Sequence, residues 1–205
     1  MITIQVLNYT SLMNSLLEAV SSYVTLFLSE NLSDELIFHN INHTYEVVAA
    51  AKEIGSHCVL SEDEMLVLEV AAWFHDCGYA NTYIGHEDES KKIANDFLEF
   101  FGCNKNFKES VLCCIESTKY PPRPSSLVEK VLCDADLYHL TRTNYQKYEK
   151  ALRQEFETFL KTSYSDEDWH TMNCRFLAGH SYYTEFGQKV LAQLKEINVR
   201  NICHK

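Results

Sequence analysis

The placement of helix-breaking residues constrains this chain most. Its three prolines all fall in Pro121-Pro122-Arg123-Pro124, and its six glycines are scattered through 205 residues. A chain so poor in breakers has room for long helices and little for a succession of hairpins. Apolar spacing agrees. Leu12, Leu16, Val20, Tyr23, Val24 and Phe27 mark an amphipathic helix over residues 10–30, and residues 45–51 lead an alanine-rich one closed by Gly55. Ser61-x-x-Glu64 is a capping box; behind it Met65, Leu66, Leu68, Val70, Ala72 and Trp73 carry a helix to Cys77, where Gly78 stops it. Glu87, Asp88 and Glu89 crowd the first turn of a helix that ends at Gly102. Helical segments over 107–118 and 127–140 follow, then the stripe Tyr145, Tyr148, Leu152, Phe156 and Phe159. A last long segment begins at Ser165 and runs to Leu194, with breaks at Gly179 and Gly187. The expectation is one all-α domain over 1–205, long enough for a substantial core.

Several of these apolar helices carry polar residues that need partners. His75 and Asp76 sit side by side at the end of the run from Ser61. A carboxylate in the last turn of a helix opposes the helix dipole, and a divalent cation would offset it. Neighbours on a helix point about 100° apart, so both reach one ion only from a helix end or a distortion, and further ligands must come from elsewhere. His39 and His43 are four apart: they share a helix face if the helix has begun by His39, and otherwise belong to a loop and a first turn. His86 stands at the start of the acidic helix, where a solvated first turn is the plain alternative. Asp134 and Asp136 are two apart, so at most one points where a neighbouring histidine points.

A formal net charge of -11 argues against a protein that coats nucleic acid, whose phosphates need a basic face. Small anionic substrates remain open if metal ions and local cations shape the field, and the proline loop offers Lys119 and Arg123. Eight cysteines with no CxxC pair and no secretory leader read as reduced thiols in a cytoplasmic protein. No uninterrupted apolar run reaches the ~18 residues of a spanning helix, so no membrane span is expected.

In order, His43, His75-Asp76 and Asp136 resemble the H…HD…D signature of the HD-domain metal-dependent phosphohydrolase superfamily. The matching pieces are Asn42-His43-Thr44, Ala72-Trp73-Phe74-His75-Asp76-x-Gly78-Tyr79 and Asp134-Ala135-Asp136-Leu137, over a core of about 36–140. The resemblance implies a helical bundle of the HD type in which His43, His75, Asp76 and Asp136 hold a divalent metal. It makes Asp136, rather than Asp134, the ligand. Two imidazoles and two carboxylates suit Mn, Fe, Co, Ni, Zn or Mg. Phe38-His39-Asn40 resembles the element that supplies the proton donor in cyclic-nucleotide phosphodiesterases of the superfamily, which makes His39 the catalytic acid, with His86 the other candidate. Members with two metals carry a further histidine where this chain has Ile115-Glu116-Ser117-Thr118-Lys119, so one tightly held metal is expected. Lys119, Arg123 and Arg153 are the candidate substrate cations. A weaker resemblance, through Leu152-Arg153-Gln154-Glu155, Asp168-Trp169 and Phe176-Leu177-x-x-His180, is to HD-domain proteins of bacterial nucleotide-cyclase defence systems. Together these imply hydrolysis of a small phosphorylated substrate, a nucleotide or cyclic nucleotide, with Asp76 at the centre. A nucleotide-sensing module with little turnover and a di-iron oxygenase are the alternatives, and a homodimer is left open.

Overall fold

The computed structural model describes the backbone of residues 2–203 and the side chains of residues 11–203. Among these residues there are nine α-helices and no strand: α1 (Ile2–Asn31), α2 (Ile41–His57), α3 (Glu62–Phe74), α4 (His86–Phe100), α5 (Lys105–Ser117), α6 (Leu127–Asp136), α7 (Tyr145–Phe159), α8 (Asp166–Gly179) and α9 (Ala192–Cys203). The fold is an all-α single domain, as the scarcity of breakers predicts. The capping box forms, with Ser61 Oγ accepting from Glu64 N–H and the Glu64 carboxylate accepting from Ser61 N–H. Asn40, Asn104, Ser126 and Ser165 cap α2, α5, α6 and α8 with side-chain oxygens that accept from first-turn N–H groups, each stabilising its helix start by about 1 kcal/mol.

Helix α3 is the spine of the domain, packed against α1, α2, α5 and α6. Leu68, Val70, Ala71, Ala72 and Phe74 are completely buried. A helix covered on every side is apolar all round, which is why α3 reads as a run rather than a stripe. Its last turn is therefore delivered to the centre of the molecule, and that is where His75 and Asp76 lie.

Helix α3 stops at Phe74 rather than Cys77. His75 and Asp76 form a turn, and Cys77–Ala80 follow as a 3-10 turn. Gly78 is more than a stop signal. A Cβ there would sit 1.9 Å from the carbonyl oxygen of His86, and its N–H donates to Ser90 Oγ at 2.8 Å. Only glycine lets the turn after Asp76 pack directly on the start of α4.

The last long segment is broken into α8, a crossing stretch, a π-turn at Gly187–Leu191 and α9. Asp134 explains the break. Fully buried on α6, it accepts from Tyr183 N–H, Thr184 N–H and Thr184 Oγ1–H at 2.7 to 2.9 Å. Gly187 allows this approach, since a Cβ there would lie 2.4 Å from Asp134 Oδ2.

One expectation is corrected. The thiols are not all reduced, because Cys174 of α8 and Cys203 of α9 form a disulfide, 29 residues apart with Cα atoms 5.6 Å apart; a helix hairpin brings them together, and no short-range spacing signals it. Among the described residues one stretch, Ser11–Asn31 of α1, is long and apolar enough to cross a membrane by length and composition alone, with mean hydropathy 1.2. Serines, threonines and Glu18 interrupt it, so it holds no uninterrupted apolar run of spanning length.

Candidate metal centre

Three helix ends converge. His43 lies in the first turn of α2, placed there by the Asn40 cap, with Asn40 Oδ1 accepting from Asn42 N–H at 2.9 Å. His75 and Asp76 leave the end of α3, and Asp136 is the last residue of α6. His43 Nε2 is 3.1 Å from Asp136 Oδ1 and 3.4 Å from Asp76 Oδ2. His75 Nε2 is 3.1 Å from Asp76 Oδ2 and 3.6 Å from Asp136 Oδ1. Ligand atoms of His43, His75 and Asp136 all lie within 4.8 Å of one another. The helix end resolves the problem of adjacent ligands: at Asp76 the backbone has φ -108 and ψ 5, which turns its carboxylate to the same side as the His75 ring.

These atoms fit a divalent cation. His75 Nδ1–H donates to the carbonyl of Ala72 at 2.8 Å, which leaves Nε2 with its lone pair facing the carboxylates. His75 Nε2 and Asp76 Oδ2 are both buried with no hydrogen-bond partner, a costly arrangement that an ion between them would relieve. Charge says the same. Burial opposes a positive charge on His75, yet Asp76 and Asp136 outweigh it and push its pKa well up. Burial likewise opposes ionisation of Asp136, but His43 and His75 hold its carboxyl low. The cluster attracts positive charge.

Around this centre lies an aromatic and histidine wall. Tyr79 is stacked between His39, 4.3 Å away between ring centroids, and His86, 3.7 Å away. His86 Nε2 is 3.5 Å from Asp76 Oδ1, and this carboxylate raises the His86 pKa against the effect of burial. His39 precedes α2, so of the two arrangements open to His39 and His43 the loop-and-first-turn one is found. His39 is fixed by Glu155 of α7, which is completely buried. Glu155 Oε1 accepts from the N–H groups of Phe38 and His39, and Oε2 faces His39 Nδ1 at 2.6 Å. His39 Nε2 then points towards Tyr79 Oη at 3.2 Å.

A cavity of about 150 Å³ opens beside the cluster, lined by His39, Asp76, His86 and Asp136 with Glu87 and Thr118. Tyr120, Pro122 and Phe176 also line it. Among the described residues no Lys or Arg lines it, and the three candidate cations lie elsewhere. Lys119 turns outward to Asp88 at 2.9 Å. Arg123 is exposed on the proline loop. Arg153 is held outside the cavity by Glu157, Asp166 and the Tyr164 carbonyl. Each is drawn to neighbouring acids or solvent, which is the ordinary fate of a surface cation in an acidic protein.

Two residues of the site were given no role from the sequence. Glu155 had a signal, since it is an acid on the inward stripe of α7. His139 had little; it packs behind His43, donates from Nδ1 to the Asp136 carbonyl at 3.1 Å, and is kept neutral by burial, with its pKa pushed down to about 3.

Residues 40–141 match the family model of the HD domain, about half of the chain. No curated protein matches. Among solved structures the chain is similar to Bacillus subtilis YpgQ in complex with ADP, at 18% identity over 94% of both chains with a TM-score of 0.66. It is also similar to a predicted HD superfamily hydrolase from an uncultured Thermotogales bacterium, at 23% identity over 84% of this chain and 91% of that one, with a TM-score of 0.54.

Proposed function

The chain belongs to the HD-domain superfamily, and on that premise we propose that it is a metal-dependent phosphodiesterase acting on a small, singly charged phosphodiester that carries an aromatic base, a cyclic mononucleotide being the simplest. His43, His75, Asp76 and Asp136 are the residues that would hold one divalent ion. When bound, the ion supplies Lewis-acid polarisation of a phosphoryl oxygen and a lowered pKa for a water beside it. The chain's own residues do the rest. His39 carries the proton for the leaving oxygen at Nε2, and Glu155 holds Nδ1–H so that the proton is presented towards the cavity. The Tyr79 ring fixes the planes of both flanking imidazoles. His86, hydrogen-bonded through Asp76, adds positive character on the far side of the cavity.

The single observation that carries the choice of substrate is the cation-free cavity lining. A nucleoside triphosphate or a sugar bisphosphate brings several negative charges that Lys or Arg normally meet. Here Glu87 would repel them, whereas a diester monoanion needs only the ion and the histidines. The cavity's 150 Å³ is below the ~300–1,000 Å³ of a site that swallows a whole ligand. It takes the phosphoryl group and its ring and leaves the base to rest on Tyr120 and Phe176. The ADP bound to the Bacillus subtilis relative supports a nucleotide in this fold.

The test is a hydrolysis panel of cyclic mononucleotides, phosphomonoesters and nucleoside triphosphates, each with Mn, Co, Ni, Zn or Mg. The reading expects cyclic mononucleotides to be cut and triphosphates to be spared. Nucleotide binding by calorimetry with no product from any of them would instead make the domain a sensor.

A further inference from the structure

Helix α1 is only partly used by the domain. Leu16, Val20, Val24 and Leu28 face inward, a single row four residues apart. The opposite side carries Leu12 and Leu26, 60% and 58% exposed. With the half-buried Ala19 they recur every seven residues, and Ser15 and Ser22 lie exposed between them. The seven-residue recurrence lines Leu12, Ala19 and Leu26 along one strip of the helix, with the small Ser15 and Ser22 between them allowing a second helix to approach. Beside it lies a groove of about 570 Å³, between α1 and the Tyr45 and Trp73 rings of α2 and α3. A helix whose apolar residues face outward as well as inward has been left half packed.

Charge decides what covers it. The chain carries a net charge of -11, yet α1 contributes Glu18 and Glu30 to that total and no Lys or Arg. Two copies meeting through any of the acid-rich surfaces repel; two copies meeting along α1 bring almost no charge together. A membrane fits less well: a helix lying on a lipid surface uses Lys and Arg to reach anionic headgroups, and a spanning α1 would strip Leu16, Val20, Val24 and Leu28 from the core they help to build. A basic partner would be drawn to the acidic faces instead.

We infer that the outer face of α1 is the seat of a homodimer, in which Leu12, Ala19 and Leu26 of each protomer pack against α1 of its partner beside the Tyr45 and Trp73 groove.

Sedimentation velocity on the full chain over about 1–100 µM tests this. The expected species has twice the 23.7 kDa chain mass. Leu26→Glu and Leu12→Glu each place a carboxylate in the contact and are expected to weaken the dimer at least about tenfold. Both sites are exposed, so circular dichroism should not change; if either variant fails to fold, Ser22→Arg makes the same test. Ile197→Glu, at a 53% exposed position on α9, serves as the control and should stay dimeric. A monomer at every concentration overturns the inference, as do dimers of equal strength in the α1 variants or dissociation by Ile197→Glu. Co-sedimentation of a monomeric wild type with phosphatidylcholine vesicles would assign the face to lipid and overturn it as well.

Discussion

Replacing Glu155 by glutamine removes one charge from a residue that is completely buried and keeps its shape. In the native arrangement one carboxylate accepts from two backbone N–H groups and from His39 Nδ1–H at 2.6 Å. A carboxamide has one accepting oxygen and one donating nitrogen. With its oxygen kept on the two backbone groups, its NH2 meets His39 Nδ1, two donors face each other, and the imidazolium form loses its counter-charge. A hydrogen bond to a charged group is worth about 1.5–3 kcal/mol. A loss of roughly 2 kcal/mol of transition-state stabilisation corresponds to about a 30-fold fall in kcat, somewhat less than the 10²–10⁴ that general acid catalysis supplies in full. KM is expected to stay within about threefold, because Glu155 does not line the cavity. The midpoint of thermal unfolding should drop by roughly 4–8 °C for a chain of this size. The assay is steady-state hydrolysis, beside metal analysis showing an unchanged content. A Glu155→Gln variant with wild-type kcat would refute the role given to His39 and Glu155.

Gly78→Ala forces a Cβ to within 1.9 Å of the His86 carbonyl oxygen, so α4 must retreat. A cost of about 1–3 kcal/mol in a chemical denaturation series is expected, together with reduced turnover as His86 leaves Asp76. Arg153→Ala, by contrast, should leave kcat and KM unchanged, since its guanidinium serves Glu157 and Asp166; a large loss of activity would return it to the site. His180 has a pKa pushed down to about 4 by burial and then by Lys195. The unfolded chain thus binds more protons between about pH 4 and 6.5, so this contribution is intact above the unfolded value and is lost as pH falls through that window. Allowing for partial exposure, up to about 2 kcal/mol should be lost, and His180→Asn should flatten that slope in urea denaturation at several pH values. Removing bound metal with a chelator should lower the unfolding midpoint, since an ion present at 100 times its Kd stabilises the fold by about 2.7 kcal/mol.

Much of the site was legible because its residues break local rules. His75 and Asp76 stand where an apolar run ends, and because neighbours on a helix share an ion only from its end or a distortion, their pairing called for a break that the apolar pattern, running on to Cys77, did not place after Phe74. Asp134 and Asp136 were separated by the same geometry: two residues apart, one faces Thr184 and the other His43. Asp134 could be seen to need a partner but not which one, because Thr184 is 50 residues away. Glu155 and His39 are 116 residues apart, and the disulfide joins positions 29 apart; both depend on how α7, α8 and α9 fold back, which periodicity does not encode. The positions of the three cations were hidden for a related reason. A basic side chain near an acidic cluster in sequence has many carboxylates to choose from, and here the outer ones, Asp88 and Asp166, win. Gly78 read as a helix stop, while its real constraint is the backbone of α4 pressed against it.

The central claim is that His43, His75, Asp76 and Asp136 hold one divalent ion. Metal analysis by mass spectrometry of purified wild type and of folded Asp136→Asn and His75→Ala variants, dialysed against the same mixture of Mn, Fe, Co, Ni and Zn, tests it most directly. About one ion per wild-type chain is predicted, falling to near zero in both variants. A wild type that retains no metal, or variants that retain as much as the wild type, would contradict it.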